Sequence, residues 1–261
     1  MPSLSVVIPC KDDGQLLSRC LQALESQTLA PLEVIVVDNN SVDDTARIAA
    51  RHGARVLYEA ASGIAAAASA GYDAARGDVI VRCDADSIPP ADWLEQIEAR
   101  FRREPDLALL TGPGVFYGTG RIRSRLAGIA YMQAYFILMA AAMGHWPPFG
   151  SNCAFRGEDW AQASTKVNRL NPNVHDDVDL GFALDPARRT AYDPSLRVGI
   201  SPRALAGGAA ARRRFKRAFV TLGIHWRQAP PWERWKETLK AGRERRRRAF
   251  QRKGRAAGSK P

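Results

Sequence analysis

Asp84-Ala85-Asp86 follows directly on the apolar run Val79–Val81. Two carboxylates one residue apart at a strand end are costly to desolvate without a partner. The usual partner is a divalent cation, and a hard cation held by oxygen often brings phosphates with it. Asp also suits turns and helix caps, so a turn at Asp84 and a helix start at Asp86 fit the same residues. Further candidates are Asp12, Asp38, Glu59, the cluster His175-Asp176-Asp177 with Asp179, and Gly150-Ser151-Asn152. The small residues Gly150 and Ser151 permit close backbone approach to a sugar, and Asn152 could hydrogen-bond hydroxyls; a plain turn is equally consistent. His175 is open to two readings, assistance to a metal or diphosphate, or a salt bridge to the acids beside it.

These residues must be positioned by the elements around them. Ser5–Ile8, Glu33–Val37, Val56–Tyr58, Val79–Val81 and Ala108–Leu110 read as short buried strands. Between them, helical spacing marks Gly14–Gln27, a helix opened by Asp43-Asp44-Thr45, Gly63–Ala75 and Asp92–Arg103. Strands alternating with helices predict an α/β fold with a mostly parallel, right-handed wound sheet flanked by helices. Ligands of such sheets gather at the carboxyl ends of the strands, which puts Pro9–Asp12, Asp38–Ser41, Glu59 and Asp84–Asp86 on one rim. Acidic and polar clusters converging there favour the ligand reading over unrelated turns. No GxGxxG or GxxxxGK[ST] follows the first strand, which argues against dinucleotide and P-loop chemistry.

The 261 residues carry a formal net charge of +11, with much of the excess after residue 211 in Arg212-Arg213-Arg214, Lys216-Arg217 and Arg245–Arg248. Such a tail is either a solvated end or a surface for an anionic partner. Cys10, Cys20, Cys83 and Cys153 form no CxxC pair and read as small buried hydrophobes in a reducing compartment. The chain opens on strand pattern without a basic and apolar leader, so the expected location is cytoplasmic.

Five segments, SVVIPCKD (5–12), EVIVVDNNSVDDT (33–45), VRCDADS (81–87), FGSNCAFR (149–156) and HDDVDLGFAL (175–184), together resemble the family-2 glycosyltransferases of the GT-A fold, in the family's order and over roughly residues 3–200. The resemblance implies a metal-assisted, inverting transferase using a nucleoside-diphosphate sugar with Mg2+ or Mn2+. By the same resemblance Asp38 contacts the nucleobase with Pro9 and Asp12 lining its pocket, Asp84 touches ribose, and Asp86 is the metal ligand. Asp177 matches the catalytic base, with Asp176 standing where the family usually has Glu and remaining a rival for that role. The family's Ala-Arg-Asn before the glycine matched to Gly71 is replaced by Ala68-Ser69-Ala70, and Arg82 is a candidate for the missing basic contact to the nucleotide. The processive Gln-x-x-Arg-Trp signature is absent, which favours transfer of a single sugar.

One base without a second, nucleophilic carboxylate predicts in-line displacement and inversion. Asp177 begins an expected helix, Val178–Leu184, whose dipole favours its ionised form. Leu126–Gly144 carries no charge; a membrane crossing there would separate Asp86 from Asp177, so it is expected to pack on the sheet, with one face available to a membrane. Trp226, Trp232, Trp235 and Phe250 among arginines suit an acidic lipid interface better than nucleic acid, for which no module signature is visible. The expected organisation is a GT-A domain, 1–205, with a nucleotide-sugar half (1–112) and an acceptor half (113–205), then a basic helical extension, 206–261. The acceptor is expected to be a glycan or a lipid-linked sugar, with the enzyme peripheral to the inner face of the cell membrane. Rival functions are a sugar nucleotidyltransferase of similar fold, which should show a glycine-rich basic loop where Lys11-Asp12-Asp13-Gly14 stands, and a non-enzymatic basic binding protein.

Overall fold

The computed structural model describes residues 1–118, 122–205 and 208–257, with side chains outside 122–125, 127, 204–205, 209–211 and 248–257. Arg121, Arg123 and Arg125 before the charge-free helix, and Arg248, Phe250 and Lys253 of the tail, therefore lie outside the described side chains.

Strand β1 (Leu4–Cys10) is buried along its whole length, as its apolar run requires of a strand covered on both faces. It pairs in parallel with β2 (Glu33–Asp38), Cys10 opposite Asp38, and with β4 (Val79–Arg82), Val7 opposite Arg82. β3 (Arg55–Tyr58) extends the sheet in parallel beyond β2. Past β4 the sheet departs from simple winding: β7 (Cys153–Arg156) runs antiparallel to both β4 and β5 (Leu107–Thr111), and β8 (Arg189–Tyr192) lies parallel to β5. The full order is β3-β2-β1-β4-β7-β5-β8. The mostly parallel sheet is as expected; β7's direction is set by the long connection before it, which its own apolar pattern does not encode. Two short strands, β6 (Gly114–Phe116) and β9 (Val198–Ile200), pair separately, and Ile88 bridges β9 at Gly199.

Helices α1 (Gly14–Glu25), α2 (Thr45–Arg51) and α4 (Trp93–Arg103) cover one sheet face, where Val6 and Ile8 meet Leu17, Leu21, Trp93 and Ile97. Helices α3 (Ile64–Ala74), α6 (Gly157–Ala163) and α7 (Asp176–Ala183) cover the other, where Val7 meets Ala67, Tyr72, Trp160 and Leu180. The alternation within β1 is the two-residue period of a strand dividing its side chains between two cores. A Cβ on Gly71 would stand 2.4 Å from Val7 Cγ1, so α3 lies closer to β1 than any larger residue allows. All four cysteines are buried free thiols.

Helix α5 (Ile122–Met143) buries Met132, Phe136, Met139 and Met143 while Ile129, Ile137 and Leu138 remain more than half exposed. It packs on the body of the fold as expected, and among the described residues no helix is long and apolar enough to cross a membrane. Helices α8 (Ala209–Gln228) and α9 (Pro231–Ala257) are tied down. Trp226 and Trp235 indoles donate to the Ala142 and Ala141 carbonyls of α5 at 3.1 and 2.8 Å, and the buried Arg234 donates to Met143 O at 3.0 Å.

Candidate active site

The carboxyl ends of β1, β2 and β4 form one rim, and their loops hold each other by hydrogen bonds. Asp12 and Asn40 take the left-handed backbone region, φ +53° and +60°, which Asx residues tolerate better than most. In that conformation Asp12 N donates to Ser41 Oγ at 3.0 Å, Asp12 Oδ1 accepts from Val42 N at 2.7 Å, and Ser41 N reaches Asp38 Oδ1 at 3.0 Å. The buried Asn39 ties the next loop, donating to Glu59 O and Ala61 O and accepting from Gly63 N. Pro9, Asp12, Asp38 and Glu59 are thus brought together as the strand ends required.

The turn after β4 separates its two acids. Asp84 is held on both oxygens: Ser151 Oγ donates to Oδ2 at 2.6 Å and Arg82 Nη2 to Oδ1 at 3.3 Å. Burial raises the Asp84 carboxyl pKa despite the lowering by Arg82 and Ser151. Asp86 lies outward, where Arg203 donates to Oδ2 at 3.1 Å while also gripping Asp13 at 2.8 and 3.2 Å. Arg203 sits on the 3₁₀ turn Pro202–Leu205 just after β9, and no local signal in the sequence could have paired it with a residue 117 positions earlier.

Asp176 and Asp177 open α7 and face the Asp84 turn across a cleft of about 170 Å³, walled by Tyr131, Tyr135, Phe149 and Gly150. Arg82 is the link between the sides: buried, it donates to Asp84, to Tyr72 Oη at 3.2 Å and, by a close ion pair, to Asp176. Arg82, the candidate for the basic contact to the nucleotide, thus has Nη1 and Nη2 engaged with these three groups while it lines the cleft. Asp177 receives Gly150 N at 2.9 Å on Oδ2 and its neighbour Val178 N at 2.9 Å on Oδ1, and His175 Nδ1 pairs closely with Oδ1. Burial alone would raise the Asp177 carboxyl, but His175, Arg82 and the Gly150 amide outweigh it and bring the pKa down to about 2. Of the two readings open for His175, the structure has the salt bridge; its pKa is raised, burial being overcome by Asp177 and Asp176.

Gly150 and Ser151 line the cleft as expected. Asn152 does not. Its side chain is fully buried, donating to Leu196 O at 2.7 Å and accepting from Trp93 Nε1 at 2.9 Å, so its amide braces the loop against α4 and the stretch before β9 instead of meeting a sugar.

The fold is that of GT-A nucleotide-sugar transferases. The chain overlays on a Mycobacterium tuberculosis glucosyl-3-phosphoglycerate synthase, crystallised with Mn2+, UDP and phosphoglyceric acid, with a TM-score of 0.58 at 19% identity, over 85% of this chain and 79% of that one. A Pyrobaculum calidifontis mannosyltransferase, in complex with GDP-Man and Mn2+, gives 0.57 at 17% identity over 98% of this chain and 80% of the other. Residues 5–161 match the family model for glycosyl transferase family 2, and the chain belongs to that family. An uncharacterised M. tuberculosis glycosyltransferase is 38% identical over 105 residues, 40% of this chain and 46% of the relative, so the match spans under half of that protein's length.

Proposed function

We propose that this glycosyltransferase moves a single sugar from a nucleoside-diphosphate sugar to an acceptor hydroxyl with inversion, Asp177 serving as the general base. The observation that carries the reading is the disposition of Asp177 and the Asp84 turn across one cleft, with Arg82 bonded to Asp84 and to Asp176 beside the base. Residues 1–112 supply the donor side, with Pro9, Asp12 and Asp38 at the nucleobase end and Asp84 toward ribose. Residues 113–205 supply the acceptor side, where Tyr131, Tyr135 and Phe149 line the cleft.

The residues present fit a divalent cation at Asp86. A hard cation prefers carboxylate oxygen, and among the described residues the donor that approaches the Asp86 carboxylate is the outward, partly exposed Arg203, whereas Asp84 has both oxygens engaged. The ligand atoms of His175, Asp176 and Asp177 also lie within 4.8 Å of one another, but Asp176 is already paired with Arg82 and Asp177 with His175. The structural neighbours crystallised with Mn2+ and UDP or GDP-Man support the same cofactor and donor class. A cation at Asp86 would offset charge on the departing diphosphate.

In the transfer, Asp177 accepts the acceptor hydroxyl's proton as that oxygen bonds the anomeric carbon and the bond to diphosphate breaks. Asp177 is preferred to Asp176 by its place in the family motif; both carboxylates are held, Asp176 by Arg82 and Asp177 by His175 and the Gly150 and Val178 amides. A lipid-linked or envelope-glycan acceptor, met at an anionic membrane surface, is supported by the exposed apolar residues of α5 and the basic residues of α8 and α9.

A screen of nucleotide sugars with Mn2+ or Mg2+ tests the reading. Asp177→Asn should lower kcat by about 100- to 10,000-fold while still binding UDP with Mn2+. Asp86→Ala should lose the metal dependence of UDP binding. Wild-type rates in both variants with a genuine donor would refute the site.

A further inference from the structure

The extension that sequence reading treats as an appendage touches the helix that carries the base. Helix α8 meets α7 at two points, one on each side of Asp177. Ahead of it, the His175 backbone N–H donates to Thr221 Oγ1 at 2.8 Å. This is one of the orphan donors at a helix N-terminus, and Thr221, fully buried, is its partner. Beyond it, His225 Nε2 donates to Asp179 Oδ1 at 2.7 Å. Asp179 is itself buried and is held from the other side by Asn168, whose backbone and amide nitrogens reach it at 2.6 and 2.8 Å. The His225 ring stacks on Phe182 of α7 at 4.5 Å between centroids and 6° between planes. Leu222, between the two polar anchors, packs with Val178 and Phe182.

We propose that Thr221 and His225 are positioning residues for the base, so that α8 fixes the height and rotation of α7 and with it the direction in which Asp177 meets the acceptor. The inference rests on the assignment of Asp177 above and goes beyond it by giving the C-terminal helices a part in catalysis. The geometry has a specific consequence. Among the described residues, the hydrogen bonds that brace the nucleotide rim through Asp12, Asp38, Asn39 and Ser41 run between the loops after β1, β2 and β3, while α8 reaches the cleft at Arg214, away from the two anchors. Loss of the Thr221 and His225 anchors therefore shifts Asp177 on α7 and leaves the bonds that brace the nucleotide rim in place. A misplacement of about 1 Å at a reacting group costs on the order of 100-fold in rate.

The experiment uses the full chain, with kcat measured on the donor and acceptor pair of the functional screen and UDP affinity measured by titration calorimetry in Mn2+. His225→Leu keeps bulk and removes the donor; His225→Gln puts an N–H near the position of Nε2. Thr221→Val deletes the hydroxyl at nearly constant volume, and Thr221→Ser restores it. We expect His225→Leu and Thr221→Val each to lower kcat tenfold or more with UDP affinity within twofold of wild type, and His225→Gln and Thr221→Ser to recover most of the rate. Unchanged kcat in His225→Leu and Thr221→Val, or a parallel loss of UDP affinity, overturns the proposal. Asp177→Asn run alongside separates the two levels: full activity there removes the base assignment itself, while its loss beside an active His225→Leu removes only the role of α8.

Discussion

Gly150 shows how tightly the site is set at the level of single residues. A Cβ there would stand 2.8 Å from Arg82 Nη2 and 3.3 Å from Asp177 Oδ2, and Arg82 cannot swing away without leaving Asp84 or Asp176. Gly150→Ala should therefore cost about 1–3 kcal/mol in chemical denaturation, the usual range for overpacking, and lower kcat at least tenfold. A second prediction follows from the paired His175 and Asp177. Since the His175 pKa is raised above its ordinary value, its ion pair stabilises fully below about pH 6.5 and is lost as pH rises through the higher folded value. His175→Gln should thus lower Tm more at pH 6 than at pH 9, read by thermal melts across that range. Asp177, lowered to about 2, stays ionised throughout that window, so the pH dependence measured there belongs to the imidazole.

The elements themselves were largely legible. The first five strands and the helices between them were readable because burial on both faces and helical periodicity are local patterns, and the rim carrying Asp12, Asp38, Asp84 and Asp86 follows from their order. What could not be read locally was partnership. β6 and β9 are only three residues long, β8 (RTAY) has no apolar run and α6 (GEDWAQA) too few apolar residues to show a period, β7's direction depends on its connection, and Arg82, Arg203 and Asn152 take their roles from residues dozens of positions away. Asn152 is the instructive case. Its amide, next to the small residues Gly150 and Ser151, suggested hydrogen bonds to sugar hydroxyls or a plain turn, yet it joins the loop before β7 to α4 through Trp93 and to the stretch before β9 through Leu196. Asn152→Ala leaves a buried indole N–H and a buried carbonyl unpartnered, each costing about 1–3 kcal/mol. The expected result is a clear drop in denaturation midpoint, with the KM for donor little changed in the surviving folded enzyme. A raised donor KM at unchanged stability would restore the sugar-binding role.

At the scale of the whole molecule, charge and exposed apolar surface are distributed in a way that suits an anionic bilayer. Helix α5 presents Ile129, Ile137 and Leu138 on a stretch without charge, α8 presents Phe215 and Phe219 among Arg212, Arg213, Lys216 and Arg217, and α9 presents Trp232 and Leu239. The Trp226 and Trp235 indoles bind α8 and α9 to the end of α5, so basic and apolar residues belong to one docked group of helices. Each basic residue near an acidic lipid surface contributes about 1 kcal/mol, and the attraction decays within a Debye length of about 10 Å at 0.1 M salt. Apolar insertion is much less sensitive to salt. The two contributions can therefore be separated by co-sedimentation with vesicles. Binding is expected to vesicles containing phosphatidylglycerol and to be weak on pure phosphatidylcholine. It should fall several-fold between 50 and 500 mM NaCl, about a threefold change in Debye length. Phe215→Ser with Phe219→Ser should weaken the salt-resistant part, whereas Arg212→Gln with Arg213→Gln should flatten the salt dependence. Equal binding to both vesicle types, or none to either, would leave the basic helices with their role at α7 alone and remove the membrane from the account of how this enzyme meets its acceptor.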